Sequence, residues 1–279
     1  MNDELKEDEL NKNQYIEDIK RYDRNLKIDD MINKIILGDS IEVMKQIPAE
    51  SIDLIFADPP YNIGIKYDNY NDNLNQKEYL EWVDKWLDET IRILKKTGSV
   101  YIAINDENAA EIVLKLKSKG LFMRNWILWH YTFGEHQSNK FTRSHTHILY
   151  FVKNNNRFTF NADNIRITSV RQKIGDKRAN PKGRIPDDIW YDNLDDVWKI
   201  SRIAGTFKER VKNFPCQMPI KVLERIILVS SNENDIVLDP FAGSGTTLVA
   251  AKKYNRKYIG IEISEKYVEV IQKRLNSLL

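Results

Sequence analysis

The chain has 279 residues, 42% of them hydrophobic, which is enough to bury one sizeable core with a smaller appended module. Its 43 basic and 41 acidic residues leave a net charge of only +2, so any surface for a nucleic acid must be local. The single cysteine, Cys216, excludes an internal disulfide and favours a reducing cytoplasm. No apolar run reaches transmembrane length and the acidic N-terminus does not resemble a signal peptide, so we expect a cytoplasmic protein without a membrane segment.

The first 32 residues are predicted to form a polar tail and a helix of unassigned role. Residues 1–12 are mostly charged, which is typical of a loose tail, and residues 15–32 carry apolar side chains at irregular helical spacing. A short strand is predicted at 34–39. Ser40 then suits the N-cap of a helix at 41–46.

A buried parallel strand is predicted at 51–57, and it leads directly into Asp58, Pro59, Pro60 and Tyr61. In open α/β sheets, ligands sit at the carboxyl ends of the strands. The prolines make the turn rigid. The Asp58 carboxylate and the Pro59 carbonyl are acceptors suited to an amino group, and Tyr61 can stack on a planar base. A simple Pro-Pro turn that closes a strand is the alternative.

The next part of the chain is predicted to complete the sheet. Its predicted elements are two helices, at 78–94 and 107–119, and three strands, at 99–104, 125–129 and 145–151. The last two strands are expected to form a hairpin. His136, His145 and His147 lie near this hairpin, but no ligand set with metal-site spacing accompanies them, so no metal site is predicted.

Residues 154–212 differ in character, with about thirteen Lys and Arg residues against eight Asp and Glu residues. Such a basic, loop-rich segment suits DNA recognition, because cations bind phosphates and side chains read base edges. A solvated, charged excursion with no ligand is the alternative. The candidate DNA-binding residues are Arg166, Arg171, Lys173, Lys177, Arg178, Lys182 and Arg184.

A second strand-to-helix turn lies far downstream. A buried strand at 235–239 precedes a turn that contains Gly243 and Gly245, and another strand ends at Glu262, 262 − 243 = 19 residues after the first glycine. This spacing places an acid on a ribose hydroxyl. A dinucleotide site has a similar layout, but Leu248 stands where its third glycine would be. Asp239 would also repel a pyrophosphate, so a nucleoside that carries a cationic amino acid fits better than NAD.

The Asp58–Tyr61 motif (DPPY) and the distant 241–247 motif (FAGSGTT) together resemble those of the S-adenosylmethionine-dependent amino-methyltransferases of DNA. Their order along the chain resembles the permuted β group of that family. The resemblance implies an α/β fold, with a mostly parallel, doubly wound sheet of the class I methyltransferase type and an inserted basic target-recognition region. We therefore expect an N-terminal tail and helix (1–32), a catalytic half (33–153), the insertion (154–212) and a cofactor-binding half (213–279).

The resemblance also assigns roles to residues around the cofactor, S-adenosylmethionine. It places Asp39 on the adenine amino group, Glu262 on the ribose, and the element around Gln217 at the methionine end. That element departs from the family pattern at Phe214, Cys216 and Met218. The full set of expected cofactor residues is Asp39, Gln217, Asp239, Phe241, Gly243, Gly245, Thr246, Thr247 and Glu262.

For the reaction, the resemblance implies that a target base leaves the DNA duplex to reach the methyl group. Asp58 and the Pro59 carbonyl would accept the two amine protons, Tyr61 would stack on the base, and Trp129 and Tyr131 would pack near it. The catalytic set is therefore Asp58, Pro59, Pro60 and Tyr61. Transfer would be direct, with no covalent enzyme intermediate.

Aspartate at the first motif position resembles the adenine-N6 enzymes, whereas the cytosine-N4 enzymes more often have serine there. We expect a site-specific adenine methyltransferase of a restriction-modification system that acts on double-stranded DNA. The resemblance further implies a homodimer, since members of the group are often dimers. Cytosine-N4 methylation, an RNA substrate, a non-catalytic nucleotide-binding regulator and an NAD oxidoreductase are the alternatives.

Overall fold

The computed structural model describes residues 27–65, 70, 72–135, 138–190, 203, 209–211, 214 and 216–277. The predicted tail at 1–12, most of the helical stretch at 15–32 and most of the segment at 191–213 lie outside these residues. The described strands are β1 (Lys34–Leu37), β2 (Ile52–Ala57), β3 (Leu94–Ile104), β4 (Phe122–Glu135), β5 (Arg143–Val152), β6 (Ile189–Trp190), β7 (Ile236–Asp239) and β8 (Lys257–Glu262).

The described helices flank these strands in the sequence. They are α1 (Ile28–Met31), α2 (Ser40–Met44), α3 (Gln76–Ile93), α4 (Asp106–Ser118), α5 (Val170–Lys173), α6 (Ile220–Ser230), α7 (Thr246–Lys253) and α8 (Glu265–Asn276), with a 3-10 helix at Ala162–Ile165. None of the helices in this part of the chain has the length and apolar character that a bilayer span requires.

The described strands form one sheet in the order β1-β8-β7-β2-β3-β5-β4-β6. The first five of these strands pair in parallel, whereas β5 runs antiparallel to both β3 and β4. The predicted, mostly parallel α/β sheet with a terminal hairpin is therefore confirmed. Strand β2 lies between β7 and β3, so its carboxyl end adjoins the carboxyl ends of both neighbours.

Both faces of the sheet are covered, which explains why β2 is a continuous apolar run. Ile55 and Ala57 face a core built with α2, α3 and α4. Leu54 and Phe56 face the other core, built with α6, α7 and α8. Within α3, buried Trp86 belongs to the first core, as the helical spacing predicts.

Two predicted boundaries are wrong for local reasons. Asp39, not Ser40, is the N-cap of α2, and its Oδ1 accepts hydrogen bonds from the Ile41 and Glu42 amides at 2.9 and 3.1 Å. The strand predicted to begin at residue 99 begins instead at Leu94, directly after α3, so Gly98 lies inside β3. A Cβ on Gly98 would lie 3.0 Å from the Asp53 carbonyl oxygen, so this glycine allows close strand packing and not a turn.

The glycine turn between β7 and α7 is tightly packed. Gly245 has φ +76°, and a Cβ there would lie 2.5 Å from Ile271 Cγ2 on α8. Gly243 has φ +53°, and a Cβ there would lie 2.9 Å from Phe214 Cζ. The sequence predicted that both glycines admit a ligand, and at Gly245 the absent side chain also lets helix α8 pack closely.

We expect Gly245→Ala to lower the free energy of unfolding by roughly 2–5 kcal/mol, measured by urea denaturation. The left-handed backbone costs about 1–2 kcal/mol for alanine, and overpacking against Ile271 adds about 1–3 kcal/mol. Gly120→Ala is the matched control, because Gly120 has φ +88° with no atom within 4 Å of the added Cβ. Equal losses of unfolding free energy in the two variants would show that α8 moves away from the added methyl group at no energetic cost.

Candidate active site

A cavity of about 660 Å³ lies at the carboxyl edge of the sheet. Its walls come from residues at the carboxyl ends of five parallel strands, β1, β2, β3, β7 and β8, and from the hairpin strands β4 and β5. The cavity therefore joins the two predicted motifs, which are far apart in the chain. Of the predicted catalytic and cofactor residues, those that line it are Asp39, Asp58, Pro59, Pro60, Tyr61, Gln217, Asp239, Phe241, Gly243, Thr246, Thr247 and Glu262.

Gly245 is the predicted cofactor residue that the structure places elsewhere. It does not line the cavity, and its side toward α8 is filled by Ile271. Ligand contact for Gly245 therefore stays a prediction, whereas its packing against α8 is observed. A glycine pattern alone does not distinguish approach to a ligand from approach to a helix.

Besides Asp39, three carboxyl groups line the cavity, those of Asp58, Asp239 and Glu262. Burial raises the pKa of Asp58 to about 6, and the Tyr61 hydroxyl, which donates to Asp58 Oδ1 at 2.6 Å, partly offsets this rise. Burial raises the pKa of Asp239 to about 7; Thr247 and the Phe241 amide lower it in part, while Asp58 and Glu262 add to the rise. Burial also raises the pKa of Glu262. The cavity therefore favours a cationic ligand, which would stabilise the charged carboxylates.

The turn after β2 is clamped by two helices. The Pro60 carbonyl accepts from the Tyr79 hydroxyl of α3 at 3.0 Å, and the Tyr61 carbonyl accepts from Asn108 Nδ2 of α4 at 3.2 Å. These bonds hold the backbone that carries Asp58. The turn is thus fixed by tertiary contacts as well as by its two prolines.

The turn after β7 is tied to β8 through Glu262. This carboxylate accepts from the Gly243 amide at 2.8 Å and from the Ser264 amide at 2.9 Å. Arg274 of α8 donates to the Ser244 carbonyl oxygen and, at 3.2 Å, to the Thr246 hydroxyl. The wall of this half of the cavity is therefore organised by hydrogen bonds within the protein.

Asp39 and Gln217 have structural roles that the sequence does not reveal. Asp39 lines the cavity while capping α2. Gln217 is buried, and its amide accepts from the Val211 amide at 2.7 Å and donates to the Glu209 carbonyl at 2.6 Å. Gln217 thus holds a neighbouring backbone segment in place. Its type and position predicted contact with the cofactor, but its long-range partners could not be predicted.

The opposite end of the cavity is aromatic and polar. Trp129 and Tyr131, expected near a target base, both line it, and their rings meet edge to face with centroids 5.2 Å apart. Sequence reasoning missed several other lining residues because they come from elements with ordinary core patterns. They are Trp82, Asn105, Arg143, Phe214 and Tyr267.

The basic insertion is largely paired with its own acids. Of its seven candidate residues, four form close ion pairs: Arg166 and Lys182 with Asp163, Arg178 with Asp176, and Arg184 with Asp187. The side chains of Arg171, Lys173 and Lys177 are exposed. None of the seven lines the cavity. Over residues 163–184 the seven cations and two acids still leave 7 − 2 = +5 charges.

Two of the three histidines near the hairpin, His145 and His147, belong to the described residues, whereas His136 lies outside them. Within the described part of the chain, no group of three His, Cys, Asp or Glu residues is placed to hold a metal ion. His147 Nδ1 accepts a hydrogen bond from Trp126 Nε1 at 2.8 Å, which gives this buried imidazole a structural partner.

Comparison with known proteins gives a consistent result. The family model described as DNA methylase matches residues 52–273. The type II methyltransferase M.HpaI of Haemophilus parainfluenzae is 40% identical over 248 residues, 88% of this chain and 75% of that protein. The DNA adenine methyltransferase YhdJ of Escherichia coli K12 is 40% identical over 247 residues, 87% of this chain and 82% of that protein.

Solved structures share the fold. The complex of M1.HpyAVI with SAM has a TM-score of 0.57 at 25% identity, covering 87% of this chain and 99% of that chain. The cytosine-N4-specific PvuII DNA methyltransferase has a TM-score of 0.65 at 20% identity, covering 86% and 85%. The second likeness is one of fold alone.

We expect Asp239→Asn to stabilise the ligand-free protein at pH 8 by roughly 2–3 kcal/mol. The pKa of Asp239 in the folded protein, about 7, exceeds its ordinary value of 3.8, so its ionisation removes stability as pH rises from about 4 to above 7. Asparagine does not ionise and so avoids this loss of stability, but it keeps only part of the hydrogen bonding of Asp239 with Thr247 and the Phe241 amide. The advantage should vanish as pH falls toward 4.

Urea denaturation across this pH range measures the effect. Asp176→Asn is the control with the opposite sign, because the hydrogen bond from Arg178 lowers the pKa of Asp176 below its usual value. That variant should gain no stability at pH 8. A pH-independent difference between Asp239→Asn and the parent protein would contradict the assignment of a raised pKa.

Proposed function

The chain belongs to the DNA methylase family, and we propose that it transfers a methyl group from S-adenosylmethionine to N6 of an adenine flipped out of double-stranded DNA. One observation carries this proposal. The turn at Asp58–Tyr61 and the carboxyl groups of Asp239 and Glu262 line the same cavity. An acceptor for an amine therefore lies in the same cavity as a wall that favours a cation. The 40% identity with a relative named as a DNA adenine methyltransferase supports it.

We assign the half of the cavity after β1, β7 and β8 to the cofactor. When bound there, S-adenosylmethionine supplies an electrophilic methyl group. The fit rests on charge, because buried Asp239 and Glu262 favour a cationic amino acid moiety and hydroxyl groups. The residues proposed to hold it are Asp39, Asp239, Phe241, Gly243, Thr246, Thr247 and Glu262, with Gln217 positioning the adjoining wall.

We assign the Asp58 half of the cavity to the target amine. The Asp58 carboxylate and the Pro59 carbonyl each accept one amine hydrogen, which localises the nitrogen lone pair for attack. After transfer the nitrogen sheds one proton, for which ionised Asp58 is an acceptor. Tyr61 orients Asp58 through its hydroxyl and lies where its ring can contact the base. Pro60 keeps the turn in place through its bond from Tyr79.

Cytosine N4 is the second candidate target, since both bases present an aryl amine. The cytosine-N4-specific PvuII enzyme has the same fold, so the fold is compatible with cytosine as the target. Aspartate at position 58 favours adenine through the family resemblance. We further propose that the enzyme modifies specific sites within a restriction-modification system, as the name of the type II relative suggests.

Other parts of the proposal concern organisation. We propose that residues 154–212 form the target-recognition region between a catalytic half (33–153) and a cofactor-binding half (213–279), in the permuted β arrangement. The N-terminal segment (1–32) has no assigned role. A homodimer and a cytoplasmic location remain predictions from the family resemblance and from the single cysteine.

Methyl transfer with tritiated S-adenosylmethionine and genomic duplex DNA, followed by digestion and separation of the nucleosides, tests the function. We expect the label in N6-methyladenine. Label in N4-methylcytosine would overturn the choice of base, and absence of label from all DNA and RNA substrates would overturn the function.

Asp58→Ala should lower the single-turnover rate by about 10²–10³-fold or more, because it removes a preorganised acceptor at the reacting amine. Asp58→Asn, which keeps the size but not the charge, should lose nearly as much. Cofactor affinity, measured by calorimetry, should stay within a factor of about three in both variants. The wild-type rate should rise with pH through about 6, where Asp58 ionises.

A parallel collapse of cofactor affinity in both Asp58 variants would contradict this division of the cavity. Activity that survives in Asp58→Ala would remove Asp58 from the reaction.

If the insertion holds phosphates, the Arg171→Ala/Lys177→Ala variant should reduce the log–log salt slope of DNA affinity by about 1.8, at about 0.9 for each lost contact. These exposed residues are preferred to Arg178 and Lys182, which pair with acids. Lys85→Ala/Lys117→Ala removes two exposed cations outside the insertion and should leave the slope unchanged. Equal slopes for both variants would place DNA elsewhere.

A further inference from the structure

Asn105 occupies a special position beside the Asp58 turn. It directly follows β3, which pairs with β2 up to Ala57 and Ile102, so its backbone lies on the same edge of the sheet as Asp58. Its side chain is only 5% exposed, yet it lines the cavity. Among the described residues, no hydrogen-bond partner faces its Nδ2. A buried amide donor without a partner is costly unless a ligand accepts from it.

A network of amides fixes the orientation of Asn105. Gln76 Nε2 donates to Asn108 Oδ1 at 2.9 Å, so the Asn108 amide nitrogen must point the other way. That nitrogen donates to the Tyr61 carbonyl at 3.2 Å and to Asn105 Oδ1 at 3.5 Å. The oxygen of Asn105 is therefore turned toward α4, which leaves its Nδ2 without a partner among the described residues.

The same side chain has no role in capping the helix that follows it. Asn105 is the N-cap residue of α4, a position where an asparagine side chain usually accepts from the backbone, but its side chain makes no capping hydrogen bond. The local structure thus does not explain the asparagine, whereas a ligand in the cavity would.

We propose that Asn105 Nδ2 donates a hydrogen bond to the target base, at the ring nitrogen bonded to the carbon that carries the reacting amine. This inference rests on the proposed function. The nitrogen is N1 in adenine and N3 in cytosine, and in both bases it is an acceptor beside an amine donor. Asp58 accepts from the amine while Asn105 donates to the ring, so the two side chains match one edge of the base.

This pair of side chains also explains rejection of the other two bases. Guanine and thymine carry a ring N–H at the corresponding position and a carbonyl oxygen in place of the amine. Asn105 would then face a donor and Asp58 would face an acceptor, which leaves buried groups unpaired on both sides. Gln76 and Asn108 act as positioning residues for this selection.

The proposal is tested by a thermodynamic cycle that combines a substitution of Asn105 with a substitution of N1 of the target adenine. Single-turnover methylation is measured for wild type and Asn105→Ala on duplexes that carry either adenine or 1-deazaadenine, which has C–H at position 1, at the target. Each change alone should lower the rate on the order of 10- to 100-fold, and both together should lower it no further than one. Asn105→Asp, which turns the donor into an acceptor, should lose at least as much.

Two controls are needed. One shows that the variant is still folded, and the other shows that the contact is to position 1 of the base and not to another ring position. Asn105→Ala should unfold no earlier than wild type, because it removes a buried amide donor that lacks a partner and no capping hydrogen bond, and its cofactor affinity should be unchanged. A target with 7-deazaadenine should show independent, multiplicative losses with Asn105→Ala.

The assignment would be overturned if the rate losses from Asn105→Ala and from 1-deazaadenine multiplied. It would also be overturned if the variant's loss were coupled to 7-deazaadenine instead. If wild type labels cytosine, the same cycle is run with 3-deazacytosine, and only the choice of base in the proposed function fails. If wild type labels no nucleic acid, the proposed function and the role of Asn105 are both rejected.

Discussion

The site depends on the lateral pairing of β2 with strands that lie far from it in sequence. Asp53 on β2 holds both neighbours at once: its Oδ2 accepts from the Ile236 amide of β7 at 2.9 Å, and its Oδ1 pairs with Lys95 of β3 at 2.7 Å. Parallel pairing in this register places Asp58, Asp239 and Asn105 at one edge of the sheet. Because parallel strands end together, two motifs separated by more than half the chain form a single cavity.

That cavity concentrates unfavourable electrostatics. The pKa values of Asp58, Asp239 and Glu262 are all raised by burial, so the carboxylates destabilise the fold at neutral pH. The surrounding hydrogen bonds hold them in place all the same. Destabilisation of this kind is typical of binding sites for a cationic ligand. When the ligand binds, its positive charge offsets the unfavourable burial of the carboxylates.

Sequence patterns predicted the elements well and the contacts between them poorly. The apolar runs of β2 and β7 and the acid Glu262 were identifiable because burial on both faces and fixed spacing leave local signatures. The packing of Gly245 on Ile271 has no such signature, since a turn glycine looks the same whether a ligand or a helix lies above it. The unpartnered amide of Asn105 likewise exists only once α3 and α4 are packed together.

The geometry separates two kinds of selectivity that a DNA methylase needs. None of the seven basic side chains of the insertion lines the cavity, so on our proposal they act on the duplex and not on the extruded base. We propose that the choice of base depends instead on Asp58 and Asn105, whose donor and acceptor pattern suits adenine and cytosine alike. Discrimination between those two bases must then come from the shape of the aromatic wall around Trp129 and Tyr131, because a purine fills more of the cavity than a pyrimidine.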